Sequence, residues 1–227
     1  MILWKLYLNE WRENGFYWFL MIAGTITVNL LIYLGLFSHD VFFMPLAFSI
    51  LGYAILCGDP IARERKNNTI YIKKSLPTPG YAHLLIKALW LMSSYVLYMV
   101  FWYAVNLKII KLTGFTLLLN SGNVLLDMVL LLVLPFFGIV SVQFSCLVSS
   151  YVPRLRCIFN FWAYILLAYI TVRFVPLLSK LFEFLPDFLL PASPGLYFNS
   201  AFLAAIFAIS VLLLFVNGKL WDNEPFI

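Results

Sequence analysis

Charge is what this chain has least of: 11% of its 227 residues are charged and 63% are hydrophobic, with a mean hydropathy of +0.95. A soluble domain usually carries about 25% charged residues, which solvate its surface. So few charges exclude an ordinary soluble enzyme, a nucleic-acid-binding module and a disordered chain. The apolar runs continue from about residue 16 to residue 216. We therefore interpret the sequence as a polytopic membrane protein.

The sequence also has few residues that carry chemistry. Its three cysteines include no C-x-x-C pair, which argues against a disulfide framework or a zinc site, and its two histidines, His39 and His83, form no H-E-x-x-H motif. It has no G-x-x-x-x-G-K-[ST] loop for nucleotide phosphates. Asp127 is the only acid within a predicted span, whereas proton-driven carriers place several ionisable groups in the membrane. We expect no catalytic residue, cofactor or metal on this chain.

What is present is a series of apolar runs, which predicts an all-α fold of six transmembrane helices in one transmembrane domain covering 1–227. At about 20 residues per span, the predicted helices are 16–37, 41–58, 84–107, 124–149, 157–175 and 199–217. Six spans place both termini and the 59–83 and 150–156 loops on one side, and together with Lys87 at the start of the third span this side has eleven of the fifteen basic residues. The positive-inside rule makes that side cytoplasmic.

Two further segments lie outside the predicted spans. Residues 3–15 are predicted to form a separate amphipathic helix in the membrane interface; the alternative is a simple flank of the first span. Its apolar face is Trp4, Tyr7, Leu8 and Trp11, and its polar face is Lys5, Asn9, Arg12 and Glu13. Residues 176–198 are apolar but contain four prolines, which predicts a re-entrant outer hairpin of two short helices that dip into the leaflet.

The loop at 59–83 is the most polar stretch of the chain. It carries the helix-compatible run Arg63-Glu64-Arg65-Lys66-Asn67-Asn68-Thr69, and then Leu76-Pro77-Thr78-Pro79, which breaks any helix before the third span. At about 25 residues the loop is too short for a domain but long enough for a turn that a partner could bind. The alternative is a solvated loop whose charges only hold the topology.

This layout resembles the type-2 ABC transporter permeases. The local pattern is similar to that family's acidic-basic cluster, Gly-Thr, Leu-Pro-small step and later Lys: here Arg63 to Thr69, Leu76-Pro77-Thr78-Pro79 and Lys87. Asn68 stands where the family commonly has Gly.

The resemblance implies the membrane subunit of a bacterial ABC exporter, which is not itself an enzyme. Separate cytosolic ATPase subunits would bind ATP and Mg, and a second permease chain, identical or paralogous, would complete the pathway in the cytoplasmic membrane. The substrate would be hydrophobic or amphipathic: a peptide, drug or lipid-like molecule. Membrane lipids are expected as partners, and nucleic acid is not. The residues implied to couple to the ATPase are Arg63, Glu64, Arg65, Lys66, Asn67, Asn68 and Thr69.

Polar residues inside the spans give a possible translocation path, formed by Asn29, Ser141, Gln143 and Ser145. The alternative is that they are interhelical hydrogen bonds, worth about 0.6 kcal/mol each. Two other functions stay open. One is a secondary carrier or channel that needs no ATPase, and the other is a membrane scaffold or sensor subunit that transports nothing.

Overall fold

The computed structural model describes residues 2–38, 41, 44–45, 53, 78–113, 124–185, 188–189, 197–198 and 200–223. This part of the chain is helical, and five of its helices are long and apolar enough to cross a membrane. They are α1 (Ile2–Tyr33), α2 (Gly80–Thr113), α3 (Val124–Ser149), α4 (Arg156–Ser179) and α5 (Ser200–Asp222). The smaller elements are the 3-10 turns Pro153–Leu155 and Lys180–Phe182 and the antiparallel strands β1 (Phe188–Leu189) and β2 (Tyr197–Phe198).

Three of the helices run in one direction and two in the other. Glu10 near the start of α1 bonds Lys87 near the start of α2, and Thr25 lies 2.9 Å from the Tyr98 hydroxyl, so α1 and α2 are parallel neighbours. The start of α2 meets the end of α5, where Gly80 N donates to Asp222 Oδ2 at 3.3 Å. We call the end where α1, α2 and α4 begin and α3 and α5 end the N-terminal end of the bundle.

The core lies between α2, α3 and α5, with α1 and α4 on the outside. Half (50%) of the apolar stretch of α2 is buried, whereas only 11% is buried in α1 and in α4. α1 packs on α2, and α4 packs on α3 and α5. The outer faces of α1 and α4 carry large exposed side chains such as Phe19, Trp162 and Tyr169. Apolar surface of this kind suits contact with lipid.

The first helix is longer than the sequence analysis predicts. Residues 3–15 do not form a separate element, because α1 continues unbroken from Ile2 to Tyr33. Gly35 follows as its C-terminal capping residue. Gly35 has a φ of +71°, and bonds from Leu36 N to Leu31 O and from Gly35 N to Ile32 O complete a Schellman motif.

The predicted faces of residues 3–15 are also only partly right. Tyr7 and Trp11 pack on the core, but Trp4 and Leu8 of the same predicted face are exposed. The reason is that α2 packs against the side of α1 that carries Tyr7 and Trp11, and a helical wheel cannot show a neighbouring helix. The buried polar residues of this segment are Glu10 and Asn14, whereas Lys5, Arg12 and Glu13 of the predicted polar face are exposed.

The other predicted elements have mixed outcomes. The bounds predicted for the fourth span, 124–149, are those of α3. Within 176–198 the described residues form the end of α4, a 3-10 turn and the strand pair, rather than two short helices. Most of the predicted second span, 41–58, and the coupling run Arg63 to Thr69 lie outside the described residues.

Candidate functional site at the start of α2

Lys87 is the only charged residue between residues 84 and 107, in the first turns of an otherwise apolar helix. An ionisable side chain in such a place is costly unless it is paired inside the protein. The structure supplies a partner: Lys87 Nζ lies 3.3 Å from Glu10 Oε1 on α1, and both side chains are 4% exposed. The pair joins two helices that are distant in sequence.

Asn14 completes this cluster. Its side-chain amide donates to Glu10 Oε2 at 3.3 Å and to the Glu10 carbonyl at 3.1 Å. Both carboxylate oxygens of Glu10 therefore have a partner, one cationic and one neutral, as a buried carboxylate requires. We call Glu10, Asn14 and Lys87 the ion-pair cluster.

Aromatic side chains cover the ion-pair cluster. The ring of Trp11 packs edge-to-face on Trp90, with centroids 6.1 Å apart, and on Trp18 at 6.0 Å. Tyr7 Oη lies 2.8 Å from Ser93 Oγ. These rings keep water from the charges, and a hydrogen bond in such surroundings is stronger than one in water.

The entry to α2 is also fixed by side chains. His83 is buried, and its Nε2 lies 2.5 Å from Thr78 Oγ1. Thr78 is the first described residue after the predicted coupling run, and Lys87 follows His83 by one helical turn on the same face. The ion-pair cluster therefore lies about two helical turns along α2 from Gly80, where the helix begins.

Farther along α2, a hydroxyl network connects it to α1 and to the segment that follows α1. Tyr98 Oη lies 2.9 Å from Thr25 Oγ1 and donates to the Pro45 carbonyl at 3.1 Å. The ring of Tyr53 packs edge-to-face on Tyr95, with centroids 5.5 Å apart. Pro45 and Tyr53 thus pack against α2 at successive levels, with Tyr53 nearer the N-terminal end.

The predicted path residues occupy two places. Ser141, Gln143 and Ser145 are buried on α3, where Gln143 Nε2 donates to the Leu84 carbonyl of α2 at 3.4 Å. Asn29 lies on α1, and its amide donates to the Thr25 carbonyl in its own helix. The structure therefore groups three of the four residues and places the fourth on a helix that packs on α2.

Asn217 of α5 is a buried polar residue that the sequence analysis does not single out. Its amide donates to the Val140 carbonyl of α3 at 3.0 Å, one turn from Gln143. Gln143 Oε1, Asn217 Oδ1 and Ser141 Oγ have no hydrogen-bond partner within the described part of the chain. The centre of the bundle thus holds several polar atoms that are closed from solvent in this conformation.

The sequence analysis also misses the ion-pair cluster as a site, because it uses Lys87 only as a topology charge and as part of the family pattern, and does not consider Glu10 or Asn14. The usable signal is periodicity: Tyr7, Glu10, Asn14, Met21 and Thr25 recur at helical spacing along one stripe. A carboxylate in an aromatic stripe requires a cation, and Lys87 is the only one that the third span offers.

No group of three or more His, Cys, Asp or Glu side chains in the described ranges is placed to hold a metal ion. In comparisons with known proteins, no family model, no curated protein and no solved structure matches this chain.

Proposed function

We propose that the chain is the membrane-spanning permease subunit of an ATP-driven ABC exporter in a bacterial cytoplasmic membrane. It would work with a separate nucleotide-binding subunit and a second permease chain, and export a hydrophobic or amphipathic peptide, drug or lipid-like substrate. The observation that carries the proposal is the buried Glu10–Lys87 pair, which ties α1 to α2 beside the entry of the polar 59–77 segment. A displacement of that segment would move two helices together.

The location of the pair fits this role. About 20 helical residues cross the hydrocarbon core, and counting them back from Tyr33 reaches the region of Glu13. Glu10 would then lie near the cytoplasmic edge of the membrane, at the end of α1 that is nearest to a bound cytosolic subunit. Removing one partner of a buried ion pair costs about 3–5 kcal/mol, because the other charge is then left buried and unpaired. Separating α1 from α2 would likewise leave both charges without their partner.

The six-span topology belongs to the same proposal. Because α1 and α2 are parallel neighbours, the chain between Tyr33 and Gly80 has to return along the bundle, and 41–58 is the apolar run available for it. The contacts of Pro45 and Tyr53 at successive levels of α2 support that path. The N-terminal end would be cytoplasmic, with both chain termini there.

The topology is tested at the two ends of α4, which are exposed at Arg154 and Glu183. Arg154→Cys and Glu183→Cys, each in a cysteine-free background, are labelled with a membrane-impermeant maleimide in intact cells and in inverted vesicles. We expect Glu183→Cys to react in cells and Arg154→Cys in inverted vesicles. Labelling of both from the same side contradicts the proposed orientation.

The class of protein is tested by purification of the tagged chain in mild detergent from its own host. We expect it to retain a protein with a P-loop and Mg-dependent ATPase activity, and vesicles holding both to show ATP-dependent flux. Flux without an ATPase subunit would indicate a carrier or channel instead. A retained ATPase without flux of any tested substrate class would favour a scaffold or sensor subunit.

The coupling residues are tested in the same complex by Glu64→Ala, with Lys73→Ala as the control. A carboxylate between two arginines offers directional charge-assisted hydrogen bonds to a partner, and truncating a buried interfacial charge costs about 2–5 kcal/mol. We expect Glu64→Ala to lower ATPase retention or transport at least about tenfold and Lys73→Ala to do much less. Wild-type behaviour of Glu64→Ala in both assays contradicts a coupling role.

A further inference from the structure

The first turn of α2 and the last turn of α5 touch through their backbones. A Cβ atom added at Gly218 would lie 2.6 Å from Tyr81 N and 2.7 Å from Tyr81 Cα, and one added at Gly80 would lie 2.6 Å from the Gly218 carbonyl oxygen. Distances this short leave no room for a side chain at Gly80 or at Gly218. We call Gly80, Tyr81, Gly218 and Asp222 the α2–α5 joint.

A hydrogen bond closes the α2–α5 joint. Gly80 N donates to Asp222 Oδ2 at 3.3 Å, so a carboxylate from another helix caps the N-terminus of α2. A negative charge is favourable there because the first backbone N–H groups of a helix have no partner within it. The Tyr81 ring packs on Phe215, with centroids 5.4 Å apart. The start of α2 is thereby fixed to α5.

From the α2–α5 joint, α5 extends through the centre of the bundle. Trp221, Asn217 and Ser210 are buried along its length, and the Asn217 amide bonds the Val140 carbonyl of α3. α5 also packs on α4. A shift at its last turn would therefore reach α3 and α4.

We propose that the α2–α5 joint transmits a displacement of the first turn of α2 to α5, so that Gly218 and Asp222 are positioning residues of the transport cycle. This inference rests on the proposed function. The Glu10–Lys87 pair would carry the same displacement to α1. One displacement would thus act on two helices that pack on α2, through a backbone contact to α5 and a charge pair to α1.

The test uses the reconstituted complex of full-length chain and ATPase subunit and measures substrate transported per ATP hydrolysed. Gly218→Ala separates the backbones and Asp222→Ala removes the cap, whereas Asp222→Asn keeps an acceptor of the same shape. Gly138→Ala is the control for the glycine, because a Cβ atom there meets nothing within 4 Å. Asn223→Ala, at the exposed neighbour of Asp222, is the control for the cap.

We expect Gly218→Ala and Asp222→Ala to lower transport per ATP about tenfold, the scale of a coupling change of 0.5–2 kcal/mol, with the ATPase subunit still bound. Asp222→Asn, Gly138→Ala and Asn223→Ala should match wild type. An unchanged ratio in both disruptive variants overturns the inference alone. So does a parallel loss of subunit retention and hydrolysis, which marks a merely structural contact. A wild-type chain that binds no ATPase overturns the inference together with the proposed function.

Discussion

On the side of α2 that faces α1, long side chains make the contacts, whereas at the start of the side that faces α5 the two backbones touch. Lys87, Trp90 and Tyr98 reach across to α1. Gly80 and Gly218 leave no space for a side chain. The first interface depends on charge and aromatic shape, and the second on the absence of a Cβ atom.

This difference has a physical consequence for how each interface fails. A charge pair between helices tolerates small changes of distance, but it leaves an unpaired buried charge when one partner is lost. A backbone contact contains no charge to lose, but one added methyl group forces the helices apart. The two sides can therefore be disrupted separately by substitutions of opposite kinds.

The largest expected effect is that of Lys87→Met, which leaves the Glu10 carboxylate buried without its cation. We expect a loss of about 3–5 kcal/mol of unfolding free energy, measured by reversible unfolding in mixed micelles. The double variant Glu10→Met with Lys87→Met should recover most of it, because two apolar side chains replace the pair. Lys5→Met, at an exposed position of α1, should stay within about 0.5 kcal/mol of wild type. Equal losses in the single and the double variant would contradict a paired charge.

Gly218→Ala should come next, because its Cβ atom would meet the backbone of Tyr81 rather than a flexible side chain. Overpacking of this kind costs about 1–3 kcal/mol. Gly138→Ala adds the same methyl group to a helix where nothing lies within 4 Å and should be neutral or slightly stabilising. If both alanines have the same effect on unfolding, the close approach of α2 and α5 is not what limits position 218.

The sequence alone predicts the apolar helices better than it predicts their partners. The bounds of α3 follow from the apolar run between residues 124 and 149, since the length of a span depends on the bilayer. The burial of Glu10 and Asn14 does not follow from the N-terminal sequence, because it depends on α2 lying beside α1. A helical wheel gives one face per helix and cannot tell lipid from a neighbouring helix.

Some residues of the candidate site can be found from the sequence, and others only from the packed helices. Lys87 and the polar residues of α3 are visible in the sequence because each interrupts an apolar run. Gly80 and Gly218 are not, since a glycine in a helix shows its role only when the second backbone is present. Asn217 lies at the last residue of the predicted sixth span, where an amide is unremarkable until α3 is packed against it.

A smaller effect should follow from Tyr98→Phe, which tests the α1 side of α2 without changing a charge. The substitution removes the hydroxyl that lies 2.9 Å from Thr25 Oγ1 and donates to the Pro45 carbonyl at 3.1 Å. We expect a loss of about 0.5–1.5 kcal/mol in the same unfolding assay, the usual range for one neutral hydrogen bond. A loss as large as that of Lys87→Met would mean that hydroxyls, rather than the ion pair, dominate this interface.

The smallest effect should be that of Asn217→Leu, on the α5 side of the core. The change removes a bond to the Val140 carbonyl, worth about 0.6 kcal/mol between membrane helices, but it also removes an amide oxygen that has no partner among the described residues. These terms oppose each other, so we expect unfolding to shift by less than about 1 kcal/mol. Ser210→Ala is the control, since among the described residues this equally buried hydroxyl bonds the Ile206 carbonyl of its own helix and no other helix. A loss near that of Lys87→Met would show that the Asn217 amide has a further buried partner. With stability preserved, reduced transport by Asn217→Leu but not by Ser210→Ala would assign the Asn217 amide to the translocation path rather than to helix packing.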